Sequence, residues 1–429
     1  MSALLVRGGR VVDPAQGIDA RLDVLLADGV VARVAESVDA PGGAEVLDAS
    51  GLVVTPGLID IHVHLREPGH EAEETVATGA RSAVAGGFTA VVCMANTAPP
   101  NDSRLVAEAI VRAAERAGLC RVHPVGAVSR GLAGEELAPF GELVAAGCVA
   151  LSDDGRPVAN AELMRRALEV AQHYGVPIVQ HAQDLDLTGE GVMHEGVASA
   201  CCGLPGIPGA AEDVMVARDL LLLEDTGGRY HVAHLSTARA LRLVRAAKAR
   251  GLAVTCEVTP HHLLLADRTI VESGFDARWK MQPPLRSPAD VEALLAGIAD
   301  GSIDAIASDH APHTPEEKAL EFEAAPFGIV GLETSLALGL DRLVRPGVIS
   351  LQRLIELMST GPARVLGLAG GSLRVGAPAD VTVIDLEREL DVAAARFASK
   401  GRNTPFEGWR LRGRAVATLV AGRVVYRAD

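Results

Sequence analysis

Two histidines separated by one residue, His62 and His64, follow the apolar segment Gly57-Leu58-Ile59-Asp60-Ile61. In a β-strand, residues i and i+2 point to the same face, so both imidazoles would face one point. Imidazole nitrogens are preferred ligands of zinc and related divalent metals. A His-x-His pair alone also occurs on ordinary protein surfaces, so the metal hypothesis depends on residues elsewhere in the chain.

Further histidines and aspartates follow other strand-like apolar segments. They are Asp153 and Asp154, His181, His231 and His234, and Asp309 and His310. Four imidazoles and two carboxylates suit one or two divalent metal ions, with one carboxylate able to bridge. Water bound to such ions has a pKa near neutrality, so the site would supply hydroxide. One carboxylate, which we predict to be Asp309, would take the proton of that water and return it to the leaving group.

The segments that carry these residues alternate with helical stretches. Strands are predicted at 58–64, 89–94, 121–125, 149–152, 177–181, 230–234, 253–258 and 305–309. Helices are predicted at 103–117, 161–174, 211–223, 237–249 and 288–298. Eight such repeats predict a (β/α)8 TIM-type barrel, in which catalytic residues follow the carboxyl ends of the strands. An open doubly wound sheet is disfavoured because no G-x-G-x-x-G loop follows a strand.

At both ends of the chain, the sequence predicts short strands without intervening helices. They are predicted at 4–6, 11–12, 22–26, 30–34 and 52–54, and again at 379–385 and 417–426. Because chain termini commonly lie close together, the two ends are expected to form one composite β-sandwich. The predicted domains are therefore a sandwich of residues 1–55 and 370–429 and a catalytic barrel of residues 56–369.

Composition excludes several classes of protein. The 429 residues are 48% hydrophobic and 22% charged, which is enough apolar material for a core. A net charge of −15 disfavours a nucleic-acid partner, because phosphate binding needs a basic patch. Neither a signal peptide nor a membrane-spanning segment is apparent, and the six cysteines lack metal-ligand spacing. These features predict a soluble cytoplasmic protein that has no membrane or nucleic-acid partner.

The motifs resemble those of class I bacterial dihydroorotases in the amidohydrolase superfamily, over nearly the full chain. The matching segments are Pro56 to Gly69, Asn96-Thr97, Ser152 to Gly155, Gly203 to Pro208, Glu257 to Leu263, Ser308 to His313 and Pro326 to Thr334. The resemblance implies a dihydroorotase, which interconverts dihydroorotate and N-carbamoyl-aspartate in pyrimidine synthesis. It also implies hydrolysis of the ring amide by a metal-bound hydroxide, with Asp309 as the proton shuttle.

The resemblance also implies a role for each matching residue. The metal ligands would be His62, His64, Asp154, His181, His234 and Asp309, binding one or two zinc ions. Local sequence does not distinguish Asp153 from Asp154 as the bridge, and the family pattern favours Asp154. Arg66, Asn96 and His313 would bind the substrate carboxylate, which suits the planar Arg66 guanidinium. The other histidines, His231, His261, His262 and His310, would orient the ligands or pack.

Two positions depart from the family pattern. Gln282 replaces the Asn that usually contacts the substrate ring, and Ala95 replaces a proline. Related subfamilies bridge their metals with a carboxylated lysine, whereas the Asp153-Asp154-Gly155 motif indicates that this chain does not.

Two other functions stay open at this point. One is a dihydropyrimidinase, hydantoinase or allantoinase, which would not need Arg66 and His313. The other is a catalytically inactive scaffold for aspartate transcarbamoylase, which would lack metal ligands. The resemblance further implies a homodimer and association with aspartate transcarbamoylase.

Overall fold

The computed structural model describes residues 3–429 and contains two eight-stranded sheets. In one of them, eight parallel strands are paired in the order in which they occur in the chain. These barrel strands, numbered first to eighth, are Leu58–Val63, Phe88–Cys93, Arg121–Gly126, Ala150–Leu151, Ile178–Gln180, Tyr230–Val232, Val254–Val258 and Ala305–Ile306. The first and eighth strands meet where the His64 amide donates to the His310 carbonyl at 2.9 Å, so the sheet is a nearly closed barrel.

Helices surround the barrel. Their bounds are Val76–Ala85, Arg104–Ala117, Phe140–Ala145, Ala161–Tyr174, Leu185–Thr188, Val197–Cys202, Ala210–Thr226, Ala238–Ala249, Pro260–Leu264, Asp267–Glu272, Pro288–Asp300, Pro315–Lys318, Ser335–Leu338, Leu351–Ile355 and Gly361–Leu366. The helix Arg104–Ala117 buries Val106, Ile110 and Ala114, whose spacing of four residues forms one apolar stripe. The helix Ala161–Tyr174 begins at the capping residue Asn160, whose side chain accepts from two backbone amides. Local sequence therefore sets both helix bounds and the buried face.

The second sheet joins the two ends of the chain. Its strands are Ala3–Asp13, Ile18–Ala27, Val30–Ala35, Glu45–Asp48, Val53–Pro56, Val381–Asp391, Arg410–Val420 and Arg423–Arg427. Val381–Asp391 pairs antiparallel with Val53–Pro56, which links the amino-terminal and carboxyl-terminal strands. Leu4, Leu26, Val381 and Leu419 share one buried cluster, as expected when a sheet curls into a sandwich. A small third sheet pairs Met193–His194 with Gly206–Ile207.

The predicted fold is confirmed, with differences in detail. All eight predicted barrel strands and all five predicted helices are present, with bounds that differ by a few residues. The strand Glu45–Asp48 was not predicted, because its side chains are mostly exposed and lack an apolar run. The predicted strand at 417–426 is a hairpin that turns at Ala421 and Gly422, both with positive φ. The division into two domains at about residues 55 and 370 stays a prediction.

No helix within residues 3–429 is both long enough and apolar enough to cross a membrane.

Candidate active site

Six ligand-type side chains from five barrel strands meet at the carboxyl end of the barrel. This His–Asp cluster consists of His62, His64, Asp154, His181, His234 and Asp309, all buried. Asp154 Oδ1 lies 3.3 Å from His234 Nε2, 3.4 Å from His62 Nε2 and 3.6 Å from His181 Nδ1. Its Oδ2 lies 3.6 Å from His64 Nε2. Asp154 is thus within 4 Å of every imidazole of the cluster.

Asp309 completes the cluster from the eighth strand. Its Oδ1 lies 3.1 Å from His64 Nε2 and 3.6 Å from His62 Nε2. His181 Nδ1 and His234 Nε2 lie 2.9 Å apart. Zinc ligands bound at about 2.0–2.2 Å in a tetrahedron are about 3.4 Å from one another, so these spacings fit metal coordination.

A register shift in the first strand turns the two histidines inward. Ile59 and Ile61 point into the barrel, and strict alternation would place His62 on the outer face. The pairing with the second strand shifts between Asp60 and Val63, and Val63 packs on the outside. The imidazoles of His62 and His64 consequently face the barrel axis, as expected of a bulge beside an active site.

Backbone conformation at the strand ends is unusual in the same region. Arg66, His234 and Asp309 have φ values of 61°, 32° and 46°, although none is glycine. Non-glycine residues with positive φ are uncommon and cluster at functional sites. The chain turns sharply after the first, sixth and eighth strands, and each turn presents one side chain to the cavity.

The neighbouring aspartates Asp153 and Asp154 face different surroundings. Asp153 Oδ1 accepts the backbone amides of Val128 and Ser129 at 2.8 and 2.9 Å, and its Oδ2 accepts the Ser129 hydroxyl. Those bonds occupy Asp153 within the loop after the third strand. Only Asp154 faces the imidazoles, so the geometry favours Asp154 over Asp153 as the bridging carboxylate.

Hydrogen bonds behind the cluster fix three of its imidazole rings. His62 Nδ1 donates to Glu257 at 2.6 Å, His181 Nε2 donates to Gln183 Oε1 at 2.6 Å, and His64 Nδ1 donates to Asn96 Oδ1 at 2.9 Å. In the neutral ring that binds a metal, each bond places the only ring proton on that nitrogen and leaves the other nitrogen with a lone pair directed at the carboxylates.

Glu257 is an ionised carboxylate despite complete burial. Burial opposes ionisation, but the attraction of His62 and hydrogen bonds from His231 and His62 lower the pKa of Glu257 to about 2. Sequence reasoning did not assign Glu257 or Gln183 a role. Two features of the sequence could have indicated these roles. Glu257 is a charged residue within the apolar strand Val254–Val258, and Gln183 is a polar residue two positions after the ligand His181.

The donor set of the cluster fits divalent metal ions. His62 Nε2 is buried and has no hydrogen-bond partner within residues 3–429, although it faces Asp154 and Asp309. A buried polar atom without a partner is costly, and a cation between the carboxylates would satisfy it. Within the cluster, two combinations that share His62 are each compact enough to hold an ion. They are His62, His64 and Asp309, and His62, Asp154 and His234.

The predicted substrate-binding residues line the same cavity of about 320 Å3. They are Arg66, Asn96, Gln282 and His313. Burial lowers the pKa of Arg66, whose guanidinium nevertheless keeps a charge at neutral pH. Gln282 Nε2 donates to Gln183 Oε1 at 2.6 Å, so its longer amide side chain is bonded to the group that orients His181. The cavity is at the small end of the range for ligand sites.

Three histidines that were predicted to orient the ligands or to pack lie outside the cluster. His231 bonds Glu257 and Thr255, and His262 bonds Thr259 and the Pro283 carbonyl. His310 faces Glu74, with 3.3 Å between Nε2 and Oε2.

Curated relatives are similar over almost the entire chain. The dihydroorotase of Citrifermentans bemidjiense is 56% identical over 425 residues, which cover 99% of this chain and 100% of that protein. The dihydroorotase of Anaeromyxobacter dehalogenans is 58% identical over 423 residues, covering 99% and 98%.

Solved structures share the fold at lower identity. The L-hydantoinase (dihydropyrimidinase) from Arthrobacter aurescens has a TM-score of 0.89 and 27% identity, covering 100% of this chain and 96% of that one. The D-hydantoinase (dihydropyrimidinase) from Thermus sp. has a TM-score of 0.82 and 28% identity, covering 99% and 95%. The amidohydrolase family model matches residues 53–425. The chain therefore belongs to the amidohydrolase family.

Proposed function

We propose that this protein is a dihydroorotase, a hydrolase that reversibly opens the cyclic amide of dihydroorotate to give N-carbamoyl-aspartate. The relatives named dihydroorotase are 52–58% identical over the full chain, well above the 27–28% identity of the hydantoinase structures. Both groups act within one reaction class, so the remaining question is the substrate.

One observation carries the choice of substrate: the cavity combines a His–Asp cluster with a buried guanidinium. Arg66 and His313 line the same 320 Å3 space as Asp154 and Asp309. A buried arginine is suited to a carboxylate, which it binds with two parallel hydrogen bonds. Dihydroorotate carries a carboxylate beside its ring amide, whereas dihydrouracil and hydantoin do not.

The His–Asp cluster would hold one or two divalent ions, which we propose to be zinc. Amidohydrolases are generally metal-dependent, and the cluster supplies imidazole and carboxylate donors. Bound metal would lower the pKa of water and polarise the amide carbonyl. Asp154 would bridge, while Arg66, Asn96 and His313 would orient the substrate through its carboxylate.

We propose that Asp309 moves the proton. As a carboxylate it would accept the proton of the attacking water, and as the acid it would deliver that proton to the ring nitrogen that leaves. The same group serves the reverse reaction, in which N-carbamoyl-aspartate closes to the ring. Burial and the close approach of His64 Nε2, 3.1 Å from Asp309 Oδ1, restrict Asp309 to one orientation.

The two alternatives make different predictions. A dihydropyrimidinase, hydantoinase or allantoinase would leave the buried Arg66 without a partner on the ligand. An inactive scaffold would have no reason to keep all six members of the His–Asp cluster. Both features support the dihydroorotase over these alternatives.

Turnover of three compounds by the purified protein tests the proposal. We expect hydrolysis of dihydroorotate, ring closure of N-carbamoyl-aspartate at lower pH, and little activity on dihydrouracil. Elemental analysis of the same sample should find zinc at one or two equivalents. Equal activity on dihydrouracil would move the assignment to dihydropyrimidinase, and an inactive protein without metal would favour the scaffold. A homodimer, association with aspartate transcarbamoylase and a cytoplasmic location stay predictions.

A further inference from the structure

Two buried polar atoms, one of them on the proposed carboxylate-binding residue His313, face each other beside Arg66. His313 Nδ1 and Glu73 Oε2 lie 3.5 Å apart, and neither has a hydrogen-bond partner within residues 3–429. Their side chains are only 11% and 12% exposed. Arg66 Nε lies 2.9 Å from the same Glu73 oxygen as an ion pair, and donates its hydrogen bond to the Pro312 carbonyl. A buried ring nitrogen without a hydrogen bond, such as His313 Nδ1, is costly.

The hydrogen bonding of His313 shows where a proton is missing. His313 Nε2 lies 2.8 Å from the carbonyl of Phe327, which can only accept, and 3.4 Å from Arg66 Nη2, which can only donate. The shorter contact to the carbonyl favours the ring proton on Nε2. A neutral ring then presents the lone pair of Nδ1 to Glu73 Oε2 at 3.5 Å and to Glu317 Oε2 at 3.6 Å. A lone pair facing two carboxylate oxygens is unfavourable, and one additional proton on Nδ1 would satisfy all three groups.

Burial, together with the positive charges nearby, keeps the His313 ring neutral when no ligand is bound. The groups that face it or its two carboxylates are Arg66, Lys318, Glu73, Glu317 and the exposed His70. Burial, followed by the charges of Arg66 and Lys318, lowers the pKa of His313 to about 3. Burial lowers the pKa of Lys318 to about 7, so near neutral pH this lysine only partly compensates the net negative charge of Arg66, Glu73 and Glu317. A ligand carboxylate on Arg66 adds one uncompensated negative charge beside the ring.

We infer that His313 takes up one proton from solvent when a carboxylate-bearing substrate binds Arg66, with Glu73 and Glu317 accepting from the new Nδ1–H. Glu73 and Glu317 are positioning residues, because they act through His313 and Arg66 and do not line the cavity. Protonated His313 then keeps Nε2 on the Phe327 carbonyl and adds a positive charge next to the ligand. Binding therefore weakens as pH rises, because the bound state holds one more proton than the free state. This inference rests on the proposed function.

Calorimetry of the metal-loaded protein with orotate, a planar carboxylate analogue of the substrate, tests the proton uptake. Binding heats are measured at pH 6, where Lys318 is already largely protonated, in MES and in bis-Tris, which differ in ionisation enthalpy. A neighbouring charge raises a pKa by about 1–3 units, so from about 3 in the free protein we expect uptake of a substantial fraction of a proton per bound orotate. Glu73→Gln and Glu317→Gln should each reduce the uptake and weaken orotate several-fold. Glu316→Gln, an exposed neighbour on the same helix, is the matched control and should leave both unchanged.

A second readout separates His313 from the metal site, where ligand binding can also change protonation. Nitrogen-15 shifts of the histidine rings, with the His313 signal assigned by its loss in His313→Gln, should change from neutral to imidazolium on orotate binding. Binding without any buffer dependence, an unchanged ring signal, or full uptake in both Gln variants would each overturn the inference. Failure to hydrolyse dihydroorotate would instead overturn the proposed function, independently of the proton measurement.

Discussion

The His–Asp cluster borders the same cavity as a second group of side chains, Arg66, His313 and Glu73, which we call the corner. The hydrogen bonds of the two groups are arranged differently. In the cluster, the ring nitrogens of His62, His64 and His181 that point away from the centre each donate to a fixed acceptor, and only that of His234 has no partner within residues 3–429. In the corner, His313 Nδ1 and Glu73 Oε2 are both left without a hydrogen bond. The protons of those three rings in the cluster are therefore held in place before any ligand binds, whereas the protonation of His313 can change when a ligand binds.

The difference has a physical basis. Metal coordination requires lone pairs at set positions, so the surrounding hydrogen bonds must hold each ring in one tautomer before any ion binds. Recognition of an anion requires compensating charge, which a proton can supply when the anion arrives. The following experiments test whether the two regions are as separate as their hydrogen bonding indicates.

The largest effect is expected from Asp309→Asn, within the cluster. Asparagine preserves the shape but cannot accept a proton, so both reaction directions should lose about 10³-fold in rate. In the unmodified protein, ring opening should fall with falling pH through the apparent pKa of the site, and ring closure should show the opposite trend. Paired pH–rate profiles on one preparation measure this. Parallel profiles, or substantial activity in the variant at normal metal content, would assign the proton transfer to another group.

Arg66→Ala should produce the next largest effect, and one of a different kind. Loss of a buried charge partner costs about 2–5 kcal/mol, which corresponds to a decrease of roughly 30-fold to 5,000-fold in kcat/KM for dihydroorotate. Metal content should stay unchanged, because Arg66 contacts Glu73, His313 and Pro312 rather than the cluster. Loss of metal in this variant would show that the cluster depends on Arg66 for metal binding, and the two regions would then not be independent.

Glu257→Gln should weaken metal binding while leaving the corner intact. The glutamine amide keeps one acceptor oxygen but loses the negative charge and one of the two oxygens that accept from His62 and His231. Such a loss behind a metal ligand typically reduces metal affinity about 10–100-fold. Competition with a chelator measures the affinity. Glu73→Gln is the matched control, because it removes a buried carboxylate of the corner and should not change metal affinity.

Glu333→Gln should have the smallest effect, and that effect should be on the pH dependence of the free energy of unfolding. Burial raises the pKa of Glu333 from 4.5 to about 7, although Ser82 and two backbone amides donate to it. The folded state binds the extra proton, so stability is full below pH 4.5 and declines as pH rises to 7. The decline is at most about 3 kcal/mol, and about 1 kcal/mol after solvent screening. Urea unfolding between pH 5 and 8 should show this decline, and the variant should not.

Much of the fold was predictable because its signals are local. Apolar runs of strand length, helix stripes such as that of Arg104–Ala117 and caps such as Asn160 lie within a few residues of one another. The strand Glu45–Asp48 has no such signal and forms only because Ala3–Asp13 offers it an edge. The hairpin at Ala421 was missed because apolar segments lie on both sides of a turn whose only local signal is Gly422.

The sequence by itself determined that four histidines and two aspartates follow the barrel strands, because strand ends and residue types can be recognised locally. Only the tertiary structure decided that Asp153 bonds the loop at Val128 while Asp154 faces the imidazoles. It also decided the register shift that turns His62 inward and the pairing of His62 with Glu257, 195 residues away. The physical reason is that side-chain direction and hydrogen-bond partners depend on neighbouring strands, which are distant in the chain.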